Sequence, residues 1–393
     1  MSEPRLLVQK FGGTSVSTAE RRLQAVEHVR RARLEGWQVA IVVSAMGRRG
    51  DPYATDTLLD LLRQDGAAVA PDDYDLMFTC GEAIAVAVMS HALKRAGIDA
   101  AGLTSAQARI YTDGHHVESE VVEVDTTRLR ALLAAGRVPV ITGGQGVTPQ
   151  TLDYTTLGRG GSDTSAVAVG VALRAERVEI FTDVDGVFAA DPRVVAGARL
   201  LEAVSYPSML ELARFGAKVM HPRAVAAGCR GQVPLVVRST FSDARGTVIE
   251  GGADAAPIVG LAWLKGMETV GLPAMSADLE RRAAWEARRL VMTVEDPRRG
   301  LIAGAARDRR GDLREATGEL SVPVRTVGEC AWLSVVGNGA ALGAALPNVL
   351  ALLEAEAGKV HAYELTPTRV TFIIPDEACE RAARGVYGLL WQV

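Results

Sequence analysis

The chain has 393 residues, enough for two or more domains with full cores. Forty-three Lys and Arg against 47 Asp and Glu leave a net charge of -4, in a composition that is 48% apolar and 23% charged. That balance is globular, and it excludes recognition of nucleic acid or an anionic membrane by a basic surface.

The opening "MSEPRLLVQK" lacks the long apolar segment of a secretory signal. No apolar run reads as the roughly 18–20 residues needed to cross a bilayer. Cys80, Cys229, Cys330 and Cys379 are far apart and form no CxxC pair. This reads as small buried hydrophobes in a reducing cytoplasm, neither a zinc site nor a disulfide framework.

In chain order, "RLLVQKF" reads as a strand, and residues 18–35 as a helix with Leu23, Val26, Val29 and Leu34 near helical spacing. "VAIVVSA" (39–45) is apolar without alternation, the pattern of a strand buried on both faces. "LLDLL" and "EAIAVAVMSHALKRAG" follow as helices, the second ending at Gly97 and opening near Cys80-Gly81-Glu82. Then come a strand at "VPVITG" (138–143), a helix over 164–175, and a strand into a turn over 177–186. "PSMLELARFGA" is a helix ending near Gly216, and "VPLVVRS" (233–239) is a strand. The repeated β–α order predicts a mostly parallel sheet covered on both faces, with ligands at the carboxyl ends of its strands.

"GTVIEGGADAAP" (246–257) marks a boundary. Within 258–329 one strand is predicted at 289–295. Beyond it "CAWLSVVG" (330–337), a helix over 344–358, "KVHAYEL", "TRVTFIIP" and a helix at "EACERAARGVYGLL" give a β–α–β–β–α order, with room for a further strand at the end. This is a small α+β module.

Four glycine-bearing turns fall at strand ends: Gly12-Gly13, Gly47, Gly143-Gly144 with Gly146, and Gly158 with Gly160-Gly161. Glycine lets backbone N–H groups approach an anion closely. Neither a Walker A loop nor a dinucleotide-binding GxGxxG is present. In "TTLGRGGSDTSAVAVG" (155–170), Ser162, Asp163 or Thr164 could cap the following helix. Alternatively, Arg159 grips a carboxylate and Asp163 an ammonium. In "FTDVDGVFAADPR", Asp183, Asp185 and Asp191 suit a metal, a ribose or a solvated loop. Lys218 sits near a helix end, where cations are favoured in any case. His221 shows no metal spacing and reads as structural. Glu82 would favour a helix dipole or reach a substrate amine.

Together "KFGGTSV", "VVSAMG", "CGE", "QGVT", "TTLGRGGSDTSAVA", "IFTDVDGVFAADPR", "FGAKVMHPRAV" and "VVRSTFSDARGT" resemble, in order over residues 5–250, the aspartokinases of the amino-acid-kinase superfamily. "SAMGRRGDPYATDTLLDLL" and "CGE" are similar to the diaminopimelate-sensitive isozymes of spore-forming bacteria. The resemblance implies an α/β fold, a three-layer αβα sandwich over 1–250, and an ACT-like α+β regulatory region over 257–393. It implies MgATP-dependent phosphorylation of the L-aspartate side chain, on the route to lysine, threonine, methionine and diaminopimelate. It assigns ATP to Lys10, Phe11, Gly12, Gly13, Thr182, Asp183, Phe188, Arg193 and Lys218. It assigns aspartate to Ser44, Thr55, Glu82, Arg159, Ser162 and Asp163. Lys10, Asp163 and Lys218 would be catalytic, with Asp163 orienting Lys10 and the substrate amine. No residue is expected as a metal ligand, because Mg²⁺ would ride on phosphate oxygens and water. A cytoplasmic homodimer with an amino-acid effector is the implied assembly.

The chain departs from the family pattern at two places. Gly144 stands where the family commonly has phenylalanine against the substrate. Residues 327–393 resemble the second of the usual two ACT modules, whereas 258–326 match the first poorly. The competing readings are a related kinase for glutamate, acetylglutamate or carbamate, and a non-catalytic amino-acid sensor. The presence of Lys10, Arg159, Asp163 and Lys218 argues against the sensor.

Overall fold

A computed structural model describes residues 5–64, 66–271, 292–296, 300–306, 313 and 325–392. It divides into two compact units. The first comprises 1–187, 200–206 and 218–253; the second comprises 188–199, 207–217 and 254–393.

The first unit is built on an eight-stranded sheet. Its order is Ala203–Ser205, Thr247–Glu250, Leu235–Ser239, Arg177–Thr182, Leu6–Phe11, Gln38–Val43, Val138–Thr142, Ala100–Leu103. Every pairing is parallel except that of Leu235–Ser239 with Thr247–Glu250. A second, four-stranded sheet joins Val121–Val124, Ile110–Thr112, Gln145–Val147 and Tyr154–Thr156.

The strand alternation in Leu6–Phe11 decides where the chemistry goes. Leu7 and Phe11 join the core formed with Val26 and Val29 of helix Ala19–Leu34 and with Val86 and Met89 of helix Pro71–Arg95. Val8 points to the other face and meets helix Gly161–Leu173 at Gly170. A Cβ on Gly170 would lie 2.4 Å from a Val178 methyl carbon, so only glycine lets this helix settle on the sheet. Because side chains alternate along a strand, Lys10 shares the face of Val8. It therefore points toward the start of the Gly161–Leu173 helix.

Some local expectations are overturned. Leu23 and Leu34 face solvent, and the buried stripe of their helix is Ala25, Val26, His28, Val29 and Ala32. The helix containing Glu82 begins at Pro71, where proline suits the first turn, so Glu82 is deep inside it and no dipole argument applies. Cys330 and Cys379 are buried, but Cys80 is exposed and Cys229 is half-buried. Helices Pro71–Arg95 and Gly339–Ala357 are long and apolar enough to cross a membrane by length and composition, which the reading of apolar runs missed. The first, however, buries Asp75 and Glu82 and packs on the sheet, as a core helix does.

The second unit carries a six-stranded antiparallel sheet. Its order is Met292–Asp296, Gly300–Ala305, Ile258–Gly271, Arg325–Gly337, Arg369–Pro375, Ala362–Leu365. Helices Gly339–Ala357 and Cys379–Trp391 pack on it and on each other. This is the α+β architecture expected for the C-terminal region. The last helix runs through Trp391, where a further strand was allowed for. The predicted strand at 289–295 is found at Met292–Asp296; residues 289–291, and much of the divergent 258–326 stretch, lie outside the described residues. Trp332 is wholly buried, donates its indole N–H to Thr269 Oγ1 at 3.1 Å, and occupies the space that a Gly304 side chain would need.

Candidate active site

The Leu6–Phe11 strand ends in a turn whose backbone is tied to its neighbours. Ser44 N–H donates to Phe11 O (3.1 Å), Gly12 N–H to Phe181 O (3.3 Å), and Gly47 N–H to Gly13 O (3.1 Å). Two glycines are present for different reasons. A Cβ on Gly13 would sit 2.5 Å from Ala45 O and 2.9 Å from Gly47 O, so the close approach of two backbones requires glycine. Gly12 has φ -71° and ψ 165°, open to any residue, and its added Cβ would lie 3.6 Å from Lys10 Nζ and from Phe181 O. Gly12 is therefore dispensable to the backbone, and its bareness leaves room beside the Lys10 ammonium.

Lys10 Nζ lies 2.7 Å from Asp163 Oδ1, with both side chains only about one-eighth exposed (12% and 13%). The capping alternative for Asp163 is thereby settled. The helix cap is Gly160, at φ 68°, with no side-chain capping bond, and Asp163 spends its carboxylate on Lys10. Thr164 Oγ1 instead donates to Gly160 O at 3.2 Å.

The other glycine turns meet the same edge. Gly143 N–H donates to Val43 O, and Leu157 N–H donates to Gly144 O, both at 2.9 Å. Gly143 and Gly161 each lack room for a Cβ, the first against Ser162 and the second against Gly144. Loop 157–160, which carries Arg159, is held from two sides. Arg223 donates to Leu157 O and to Ser119 O, each at 2.7 Å. The His221 ring takes the space beside Gly160, consistent with a structural histidine. Arg159 itself is exposed.

Glu82 is 2% exposed. One carboxylate oxygen accepts from Ala45 N–H at 3.3 Å, and the other is buried without a hydrogen-bond partner. Burial pushes its pKa up to about 8, against the smaller opposing effect of hydrogen bonding. Ser44, Thr55 and Ser162 are half-buried along the same strand-end edge.

Other expected residues are placed differently. The Phe11 side chain is core, stacked on Phe181 at 4.7 Å between ring centroids, so only its backbone reaches the turn. Thr182 donates to Asp183 at 3.2 Å, and Lys218 is exposed between two helices. Phe188 and Arg193 belong to the second unit, where Arg193 pairs with Asp191 at 2.6 Å. Asp183, Asp185 and Asp191 do not converge: Asp183 pairs with Arg48, and Asp185 accepts from Ser242 at 2.5 Å. Among the described residues no three His, Cys, Asp or Glu side chains are grouped to hold a metal.

Three contributors escaped the sequence reading. Arg48 reaches over the glycine turn, donating to Asp183 at 2.7 Å and to Thr14 Oγ1 at 3.4 Å. The run "GRRGD" held that signal, two cations between glycines next to the cradle. Thr240 shares a 2.6 Å hydroxyl contact with Ser15, and its carbonyl lies 3.0 Å from His28 Nε2. Burial lowers the His28 pKa, so a neutral ring backs the turn. No local pattern marks Thr240 or His28, because they meet Ser15 only through the sheet.

Glycine turns, a lysine–aspartate pair and a buried glutamate thus lie at the strand ends of a mostly parallel sheet, where ligands of open α/β folds bind. The profile described as "Amino acid kinase family" matches residues 5–239, and the chain belongs to that family. Within it, the chain is 48% identical over 245 residues to aspartokinase 1 of Bacillus subtilis, a match covering 62% of this chain and 60% of that protein. It is 45% identical over 253 residues to an aspartokinase of Mycolicibacterium smegmatis, covering 64% and 59%. The chain thus matches about three-fifths of the length of these relatives. The fold is also that of Escherichia coli aspartokinase III, solved with aspartate and ADP, at TM-score 0.81 and 22% identity over 98% of this chain and 100% of that one.

Two outcomes follow from this geometry. Gly13→Ala should lower stability by about 1–3 kcal/mol through overpacking, whereas Gly12→Ala should stay within ~0.5 kcal/mol of wild type; urea unfolding compares them. Glu82 has its folded pKa raised from 4.5 to about 8. Its contribution is thus fully present below the unfolded pKa and lost as pH rises through about 8. Wild type should therefore lose thermal stability relative to Glu82→Gln between pH 5 and 8.5; parallel melting curves would refute the assignment.

Proposed function

We propose that the chain is an aspartate kinase, transferring the γ-phosphoryl group of ATP to the side-chain carboxylate of L-aspartate to give 4-phospho-L-aspartate. The observation that carries this reading is the Lys10–Asp163 pair, set between the Gly12-Gly13 turn and the Gly143-Gly144 turn. The similarity to aspartokinases over the same residues supports it. The product would open the route to lysine, diaminopimelate, threonine and methionine.

A carboxylate is a nucleophile at neutral pH, so the reaction needs no strong base. One carboxylate oxygen attacks the γ-phosphorus, the bond to the β–γ bridging oxygen breaks, and ADP leaves. The barrier is the approach of an anion to a polyanion, so catalysis is positioning and charge neutralisation. Lys10, held by Asp163 and given room by Gly12, supplies positive charge at the phosphates. Gly13 and Thr14 supply first-turn N–H groups that have no acceptor within their helix. Arg48 can exchange Asp183 for phosphate, and Lys218 supplies a further exposed cation. Thr182, Asp183, Phe188 and Arg193 are assigned to the nucleotide. Arg159 takes the α-carboxylate, and Glu82 with its unpartnered oxygen takes the ammonium. Ser44, Thr55 and Ser162 supply hydroxyls, and Asp163 orients Lys10 and the substrate amine.

Among the described residues no group of His, Cys, Asp or Glu forms a cage, and Mg²⁺ would ride on the nucleotide's phosphate oxygens and water. When bound, it adds charge neutralisation at the phosphates. We place the enzyme in the cytoplasm as a homodimer. Its catalytic domain is assigned to 1–250 and an ACT-like regulatory region to 257–393, the latter taking an amino-acid effector. The Escherichia coli relative has also been solved with lysine and aspartate.

The test is MgATP-dependent formation of aspartyl hydroxamate, with L-glutamate and N-acetylglutamate as controls. Activity on aspartate should fall at least ~100-fold in Lys10→Ala; no aspartate activity in wild type would refute the reading. Because Glu82 must ionise to accept an ammonium, the KM for aspartate should fall from pH 6 to pH 8. In Glu82→Gln it should be high and flat over the same range.

A further inference from the structure

We propose that Phe78 is the specificity-determining wall of the acceptor pocket, supplied by a helix in place of the bare Gly144 loop. This rests on the assignment of the acceptor to Glu82, Arg159 and Ser162. Tyr74, Phe78 and Glu82 follow one another at four-residue spacing on helix Pro71–Arg95, so they form one ridge. Glu82 meets Ala45 N–H, and at the other end Tyr74 is half-buried, its phenol pKa raised by burial. Phe78 stands between them.

The contact with the loop is specific. A Cβ on Gly144 would lie 3.4 Å from the ring-edge carbon Cε1 of Phe78 and 3.3 Å from Ser162 Oγ. The ring edge and the Ser162 hydroxyl thus converge on the space that a side chain at Gly144 would fill. Gly144 adopts φ 74°, a conformation that disfavours any other residue. A Cβ there would already stand at van der Waals contact with the ring, so a larger side chain would compete with Phe78 for the same space. The pocket can therefore take an aromatic wall from the helix or from the loop, but not from both. Phe78 is also not an ordinary core phenylalanine. Phe11, Phe181 and Phe372 are wholly buried, whereas Phe78 keeps part of its ring uncovered.

An apolar wall at this point limits the length of the acceptor between its two charged anchors. It should favour the four-carbon amino diacid over the five-carbon one. An apolar pocket distinguishes one methylene by about 10–200-fold.

The experiment measures kcat and KM for L-aspartate and L-glutamate, and KM for ATP, in wild type, Phe78→Leu and Phe78→Ala. Phe78→Ala should raise the aspartate KM about tenfold and narrow the aspartate-to-glutamate ratio of kcat/KM at least fivefold, by the same methylene scale. The ATP KM should stay within twofold, and Phe78→Leu should be intermediate. A merely structural residue would lower activity on both acids alike and leave their ratio unchanged. If Phe78→Ala melts early, Phe78→Leu, which retains apolar bulk, decides the question. Active variants with wild-type ratio and KM overturn the wall alone. A wild type that phosphorylates neither acid overturns the acceptor assignment and the wall with it.

Discussion

The pairing of Lys10 with Asp163 is the constraint on which the first unit depends. It joins the end of a strand to the start of a helix some 150 residues later, at 2.7 Å and largely out of water. Removing either partner would leave a charge poorly solvated and unpaired, a far larger cost than loss of a surface ion pair. Anything seated between the Gly12-Gly13 and Gly143-Gly144 turns faces one ammonium whose position is set before binding. Such preorganisation lets charge neutralisation work without reorganisation during reaction.

Around this pair the molecule accepts local costs. Glu82 is buried with one oxygen unpartnered, an arrangement that lowers stability and raises its proton affinity. A ligand ammonium would relieve both. Gly47 and Gly144 adopt positive φ, Gly13 and Gly161 admit backbone contacts closer than a side chain allows, and Gly143 leaves room for the Ser162 side chain. Stiffness comes from behind: the Phe11–Phe181 stack, the Ser15–Thr240 hydroxyl pair, and Arg223 gripping the 157–160 loop. Exposed cations such as Arg48 are thus left at the surface, while the scaffold under them is packed.

The second unit rests on different physics. Its antiparallel sheet is held by the buried Trp332 and by Arg369, which pairs with Glu211 at 2.9 Å and Glu364 at 2.7 Å and lies over the Phe215 ring. Segments 188–199 and 207–217 belong to this unit although they lie among residues of the first unit in sequence. Composition has no means of signalling such an interleaving, because membership of a unit is decided by long-range contacts.

The sequence by itself determined the parallel α/β order, the glycine turns at strand ends, and the residues of the site edge. Apolar runs without alternation, and glycine next to Lys, Arg and Asp, are local signals. What only the tertiary structure decided was which partner each residue takes. Asp163 could cap a helix or bind a cation, and the strand alternation that turns Lys10 toward it chose the second. Glu82 could have opened a helix, but Pro71 begins that helix three turns earlier, which buries the carboxylate. Gly144 looked like a missing wall until the neighbouring helix brought Phe78 to the same point. These outcomes depend on contacts between residues far apart in sequence, and periodicity and spacing carry no record of them.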